Sequence, residues 1–75
     1  MSSIIQNRTI NINIFAGSAT KTTMDIDCTT TYLDILKKLD INPETVIVMA
    51  SGLPQPLDET PDCETIEILR VVSGG

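Results

Sequence analysis

Polar and β-branched residues alternate from Thr9 to Phe15, in the run Thr9-Ile10-Asn11-Ile12-Asn13-Ile14-Phe15. A period of two belongs to a strand with one buried face, and it puts Ile10, Ile12 and Ile14 on the inner side. Ala16-Gly17-Ser18-Ala19-Thr20 is small and turn-like. From Lys21 to Cys28 the alternation returns, with Met24, Ile26 and Cys28 sharing a side. The short spacing between the two runs predicts a β-hairpin.

The period then lengthens. Leu33, Leu36 and Leu39, with Tyr32 and Ile35 beside them, give an apolar helical face over residues 32–40. Thr29-Thr30-Thr31 offers capping hydroxyls, and Asp34 follows Thr31 by three residues, the spacing of a capping box. Lys37 and Lys38 fall in the last turn, where they oppose the negative end of the helix dipole. Asn42-Pro43 ends the segment, and Pro43 is placed to open a short helical turn through Glu44 and Thr45.

Val46-Ile47-Val48-Met49-Ala50 is continuously apolar, which predicts a strand near the sheet centre, covered on much of both faces. Ser51-Gly52 turns the chain. Two prolines confine the extended Leu53-Pro54-Gln55-Pro56-Leu57 to an edge or irregular strand. Residues 58–62 form a polar loop. From Glu64 to Val72 alternation resumes: Ile66, Ile68 and Arg70 share one parity, and Thr65, Glu67, Leu69 and Val71 the other. The order strand, strand, helix, strand, short strand, strand predicts an α+β fold, a mixed sheet of four to five strands packed on one helix.

Composition narrows the function. Seventy-five residues give one domain over 1–75, with residues 1–8 loose and residues 73–75 a flexible tail. A chain this short buries only about 60% of its unfolded surface. With Phe15 and Tyr32 the only aromatics, the core has to be aliphatic. There is no His, so the commonest general base and the commonest metal ligand are both missing. That disfavours an enzyme and favours a binding module or another enzyme's substrate.

Ten acidic against five basic residues, a formal net charge of −5, argue against direct binding to nucleic acid or to an anionic membrane. The balance suits docking on a basic protein surface, and it also suits simple solubility. No apolar stretch approaches the ~20 residues of a membrane span, and the first eight residues lack signal-peptide character. The expected location is cytoplasmic. Cys28 and Cys63 are then reduced and read as small buried hydrophobes, with a thiol-relay role as the alternative. Without His they form no four-ligand zinc site, and Asp58, Glu59, Asp62 and Glu64 lack calcium-loop spacing. No metal site is expected.

The chain closes on Ser73-Gly74-Gly75 directly after a strand-like run. Two glycines without Cβ atoms suit an extended tail that threads a narrow channel. A flexible terminus accounts for the same pair. Two stretches, Val46-Ile47-Val48-Met49-Ala50-Ser51-Gly52-Leu53-Pro54-Gln55-Pro56-Leu57-Asp58 and Ile66-Glu67-Ile68-Leu69-Arg70-Val71-Val72-Ser73-Gly74-Gly75, resemble the ubiquitin-like β-grasp family. Within it they resemble most the archaeal small modifier and sulfur-carrier branch. That branch has relatives among the thiamine and molybdopterin sulfur carriers and the ubiquitin-related modifier. Where many sulfur carriers have a Gly-Asp turn before the last strand, this chain has Pro61-Asp62.

The resemblance implies a β-grasp fold and a reactive terminus at Gly75, preceded by Gly74. A ubiquitin-activating-type adenylating enzyme would use ATP and Mg²⁺ to convert the Gly75 carboxylate into an acyl-adenylate. The protein itself would bind no cofactor. A persulfide or thiolate would then give a thiocarboxylate or thioester, and a lysine amine an isopeptide. The implied partners are a tRNA-thiolation or other sulfur-acceptor enzyme and the lysines of target proteins. Docking candidates are Leu53, Leu69 and Val71, which are core residues on the opposite parity reading, and Arg70. Lys21, Lys37 and Lys38 are possible conjugation acceptors. Three readings stay open: sulfur carrier, covalent modifier, and a non-covalent β-grasp interaction domain.

Overall fold

The computed structural model describes residues 7–71. They form five strands and one helix: β1 (Arg8–Phe15), β2 (Ala19–Ile26), α1 (Tyr32–Lys38), β3 (Val46–Ala50), β4 (Leu53–Pro54) and β5 (Thr65–Arg70). A 3₁₀ turn at Pro43–Thr45 precedes β3. The strands join in one mixed sheet of order β2-β1-β5-β3-β4, in which β1 and β5 are parallel and the other pairs antiparallel. This is the α+β, β-grasp arrangement.

The alternation that makes β1 and β5 strands also builds the core. Ile10 and Ile12 of β1, Ile66 and Ile68 of β5, and Val48 and Ala50 of β3 are buried, and Tyr32, Ile35 and Leu36 of α1 pack over them. Ile14, Met24, Leu39 and Ile41 are half-buried at its margin. Burial pushes the Tyr32 phenol above its ordinary pKa, and nearby Cys63, Asp62 and Glu59 add to the effect.

The helix ends are held by local chemistry. Thr31 Oγ1 accepts from the Asp34 N–H at 3.1 Å, and the Asp34 carboxylate accepts from the Thr31 N–H at 3.1 Å, closing the capping box. Asp40, in the left-handed region at φ 60°, stops the helix. Its N–H reaches the Lys37 carbonyl and that of Ile41 reaches the Leu36 carbonyl, the paired bonds of a Schellman motif. The N–H groups of Tyr32 and Leu33 donate to the Glu59 and Leu57 carbonyls, which ties the 57–63 loop to the start of the helix.

Several boundaries differ from the expectation. Arg8 belongs to β1 rather than to a loose segment, and its guanidinium donates to the carbonyls of Cys63 (2.8 Å) and Pro61. Helix α1 stops at Lys38, because Asp40 takes the left-handed conformation. Strand β2 ends at Ile26, because the Asp27 carboxylate accepts from the Thr29 N–H, the Thr29 hydroxyl and the Thr30 hydroxyl, and so turns the chain. Cys28 therefore sits exposed in that turn, not on the inner face, while Cys63 is half-buried against the core; both are free thiols. The extended segment at Leu53 pairs over only two residues. Strand β3 lies next to the central strand β5, near the sheet centre as expected, but it is not covered on both sides: Ile47 is exposed.

Candidate docking face at the end of the sheet

Among the described residues the helix packs on one face of the sheet, and no element packs on the other. Pairing fixes what that open face carries. Leu69 of β5 stands beside Phe15 of β1 on one side and Ile47 of β3 on the other. Neighbouring strands lie about 4.8 Å apart, so these three side chains form one apolar row across three strands. Phe15 is 41% and Ile47 39% exposed, and Leu69 is half-buried between them. Val71 follows Leu69 at the same parity and is 54% exposed. Its N–H donates to the Thr45 carbonyl at 2.9 Å, which carries the β5–β3 pairing one residue past Arg70.

Further along the same face the surface becomes mainly polar, with Asn11 and Asn13 on β1, Thr65 and Glu67 on β5, and Lys21 and Thr23 on β2, although the half-buried Met49 of β3 stands beside Glu67. The exposed apolar side chains of this face thus gather at the end at which β5 runs out towards the carboxyl terminus. Four large apolar side chains grouped at one sheet end, rimmed by polar residues, have the character of a protein contact rather than scattered surface hydrophobes.

The docking candidates read from sequence separate by register. Leu69 and Val71 belong to the row. Leu53 does not: the tight turn with Ser51 at φ 55° and Gly52 at φ 78° sets Leu53 opposite Ala50, on the helix side of the sheet edge, where it is 63% exposed. Arg70 has the opposite parity to Leu69; it is exposed and forms no ion pair among the described residues. Phe15 and Ile47 were missed by sequence reasoning. Both had a signal, since each is apolar at the parity that points away from the helix.

Of the possible acceptors, Lys21 lies opposite Asn13, on the open face, and Lys37 and Lys38 are exposed on the last turn of the helix. Gly74 and Gly75 lie outside the described residues. Among the described residues no cluster of three or more His, Cys, Asp or Glu has metal-binding geometry, and no helix is long and apolar enough to cross a membrane.

Comparison with known proteins adds the family. The model of small archaeal modifier protein 2 matches residues 9–72, from the first residues of β1 to just past β5. The chain belongs to that family. Small archaeal modifier protein 2 of Haloferax volcanii is 26% identical over 66 residues, which cover 88% of this chain and all of that protein. An uncharacterised protein of Archaeoglobus fulgidus is 43% identical over 44 residues, 59% of this chain. That match spans 66% of the Archaeoglobus protein, just under two thirds of its length. Membership makes this chain a small archaeal ubiquitin-like modifier.

Proposed function

We propose that this modifier acts through the Gly75 carboxylate, which a ubiquitin-activating-type enzyme adenylates after docking on the Phe15-Ile47-Leu69-Val71 row. The observation that carries the reading is the position of that row: it borders the segment that leads into Ser73-Gly74-Gly75. A partner seated on it holds the end of β5, and holding a reactant in place removes much of the entropic barrier to reaction.

A free carboxylate is a poor acyl donor. Attack of a Gly75 carboxylate oxygen on the α-phosphorus of ATP, with departure of pyrophosphate, gives an acyl-adenylate. The ATP and Mg²⁺ belong to the partner, and this chain binds no cofactor of its own. Hydrosulfide that displaces AMP leaves a thiocarboxylate for tRNA thiolation or another sulfur acceptor. A lysine amine that displaces AMP, directly or through a thioester, leaves an isopeptide-linked target. This chain is a substrate in these steps, not a catalyst, and an ATP-dependent partner implies a cytoplasmic setting. Family membership supports the modifier role; the sulfur-carrier role rests on the shared adenylate.

The test is ATP–pyrophosphate exchange by the host's ubiquitin-activating-type enzyme. The unaltered chain is expected to stimulate exchange, and Gly75→Ala to reduce it at least about tenfold, since a Cβ crowds the in-line approach to the carboxylate. Undiminished exchange with a folded Gly75→Ala chain would overturn the reading. Tight binding independent of the tail would favour a non-covalent interaction domain.

A further inference from the structure

A second surface flanks the end of β5, on the helix side of the sheet. Seven residues of α1 span about 10 Å, whereas the eight residues of β1 span about 26 Å, so the helix is too short to cover the inner face. Among the described residues the cover at the β5 exit is the 40–42 loop and Thr45, and a cleft of about 410 Å³ remains. Ile14, Ile41, Val46 and Ile68 line its floor. Arg70 stands on its sheet-side rim and Asp40 on its helix-side rim. The volume falls in the range of sites that take a side chain or small ligand, about 300–1,000 Å³, and the lining joins five apolar residues to the polar Asn42 and Thr45 and the charged Asp40 and Arg70.

We propose that this cleft is a second contact for the activating enzyme, and that it takes an apolar side chain of that enzyme with a carboxylate beside it. The proposal rests on the reading of Gly75 as the activated terminus and names what recognises the inner side of the same strand. The argument is charge complementarity. Arg70 is an exposed guanidinium at the cleft mouth, with no carboxylate partner among the described residues, in a chain of net charge −5. A guanidinium presents a planar fork of donors that matches a carboxylate. The Asp40 carboxylate on the other rim repels an anion there, so the incoming acid is directed to the β5 side and the segment docks in one orientation. A partner engaging both the cleft and the apolar row clasps β5 from its two faces immediately before the tail.

The experiment measures affinity for the host's activating enzyme by calorimetry without ATP, so that binding is read apart from chemistry. Three variants of the full chain are compared, each checked for an unchanged thermal midpoint. Ala16→Trp fills the cleft from an exposed rim position without removing any floor residue. Arg70→Glu reverses the charge that receives the carboxylate. Asp40→Asn removes the repelling charge and keeps a residue that tolerates the left-handed conformation. The proposal expects the first two to weaken binding at least about tenfold and Asp40→Asn to tighten it by about twofold. That pair of opposite signs is not produced by loss of fold. If Ala16→Trp and Arg70→Glu bind as the parent does while the parent is adenylated, the cleft proposal is overturned and the activation reading stands. If the parent is not adenylated by an enzyme competent with another substrate, the activation reading fails and takes the cleft proposal with it.

Discussion

Leu69 is the residue on which the open face turns, because it is the one side chain flanked by both Phe15 and Ile47. A charge there disrupts a desolvated contact without touching the core beneath. Leu69→Asp is expected to raise the activating enzyme's KM for this chain at least about tenfold, with a near-native far-ultraviolet spectrum. Unchanged kinetics would remove the row from the docking face. At this scale the sequence was informative on the inner positions: Ile10, Ile12, Ile66 and Ile68 are buried as their parity requires. It was ambiguous for apolar residues of the other parity. Ile47 sits inside an unbroken apolar run, and nothing local distinguishes an apolar residue buried under another layer from one kept apolar to meet a partner. Cys28 was misplaced because the Asp27 turn ends β2 two residues early.

The elements are held by their ends more than by their lengths. A seven-residue helix is too short to be stable alone in water, so its caps and its packing carry it. Thr31→Ala removes the side-chain half of the capping box and is expected to lower stability by about 1 kcal/mol, read from the urea midpoint. Asp40→Gly relieves an L-residue held at positive φ, and is expected to raise stability by about 1 kcal/mol.

Acid sensitivity belongs to the same ends. Hydrogen bonds from Thr31 hold the Asp34 carboxyl below its ordinary value, and those from Thr29 and then Thr30 do so for Asp27. A depressed folded pKa means that the stabilisation is fully present above the ordinary carboxylate range. It is lost as the pH falls through the lowered values. Urea midpoints of the parent are therefore expected to fall below about pH 4, and Asp34→Asn to flatten part of that fall. An unchanged pH profile in Asp34→Asn would remove the capping box from the account.

On the scale of the whole molecule, one core, aliphatic but for Tyr32, supports everything. Leu36 is fully buried among the β-sheet isoleucines, and Leu36→Ala is expected to cost about 2–5 kcal/mol. Native domains have only about 5–15 kcal/mol in total, so a chain of this size loses much of its stability. Calorimetric melting checks it. The element order was legible because each element has its own period and punctuation, from the alternation of β1 to the capping threonines of α1. The strand order was not. Placing β5 between β1 and β3 depends on a parallel pairing between residues 11–15 and 65–69, and no local pattern encodes contacts at that separation. Because β5 lies in the middle, the segment leading to the diglycine leaves from between Phe15 and Ile47, which is what makes the face beside it a candidate site.

Intact-mass spectrometry tests the central claim most directly. The purified chain is incubated with its host's ubiquitin-activating-type enzyme, ATP, Mg²⁺ and a sulfide source, with a chain lacking Gly74-Gly75 treated in parallel. The account predicts a mass change on the intact chain only. Replacement of one carboxyl oxygen by sulfur would mark a sulfur carrier, and an adenylate or lysine-linked adducts a protein modifier. An unchanged mass, with an enzyme shown to activate another substrate, would contradict the proposal that the Gly75 carboxylate is the reactive group.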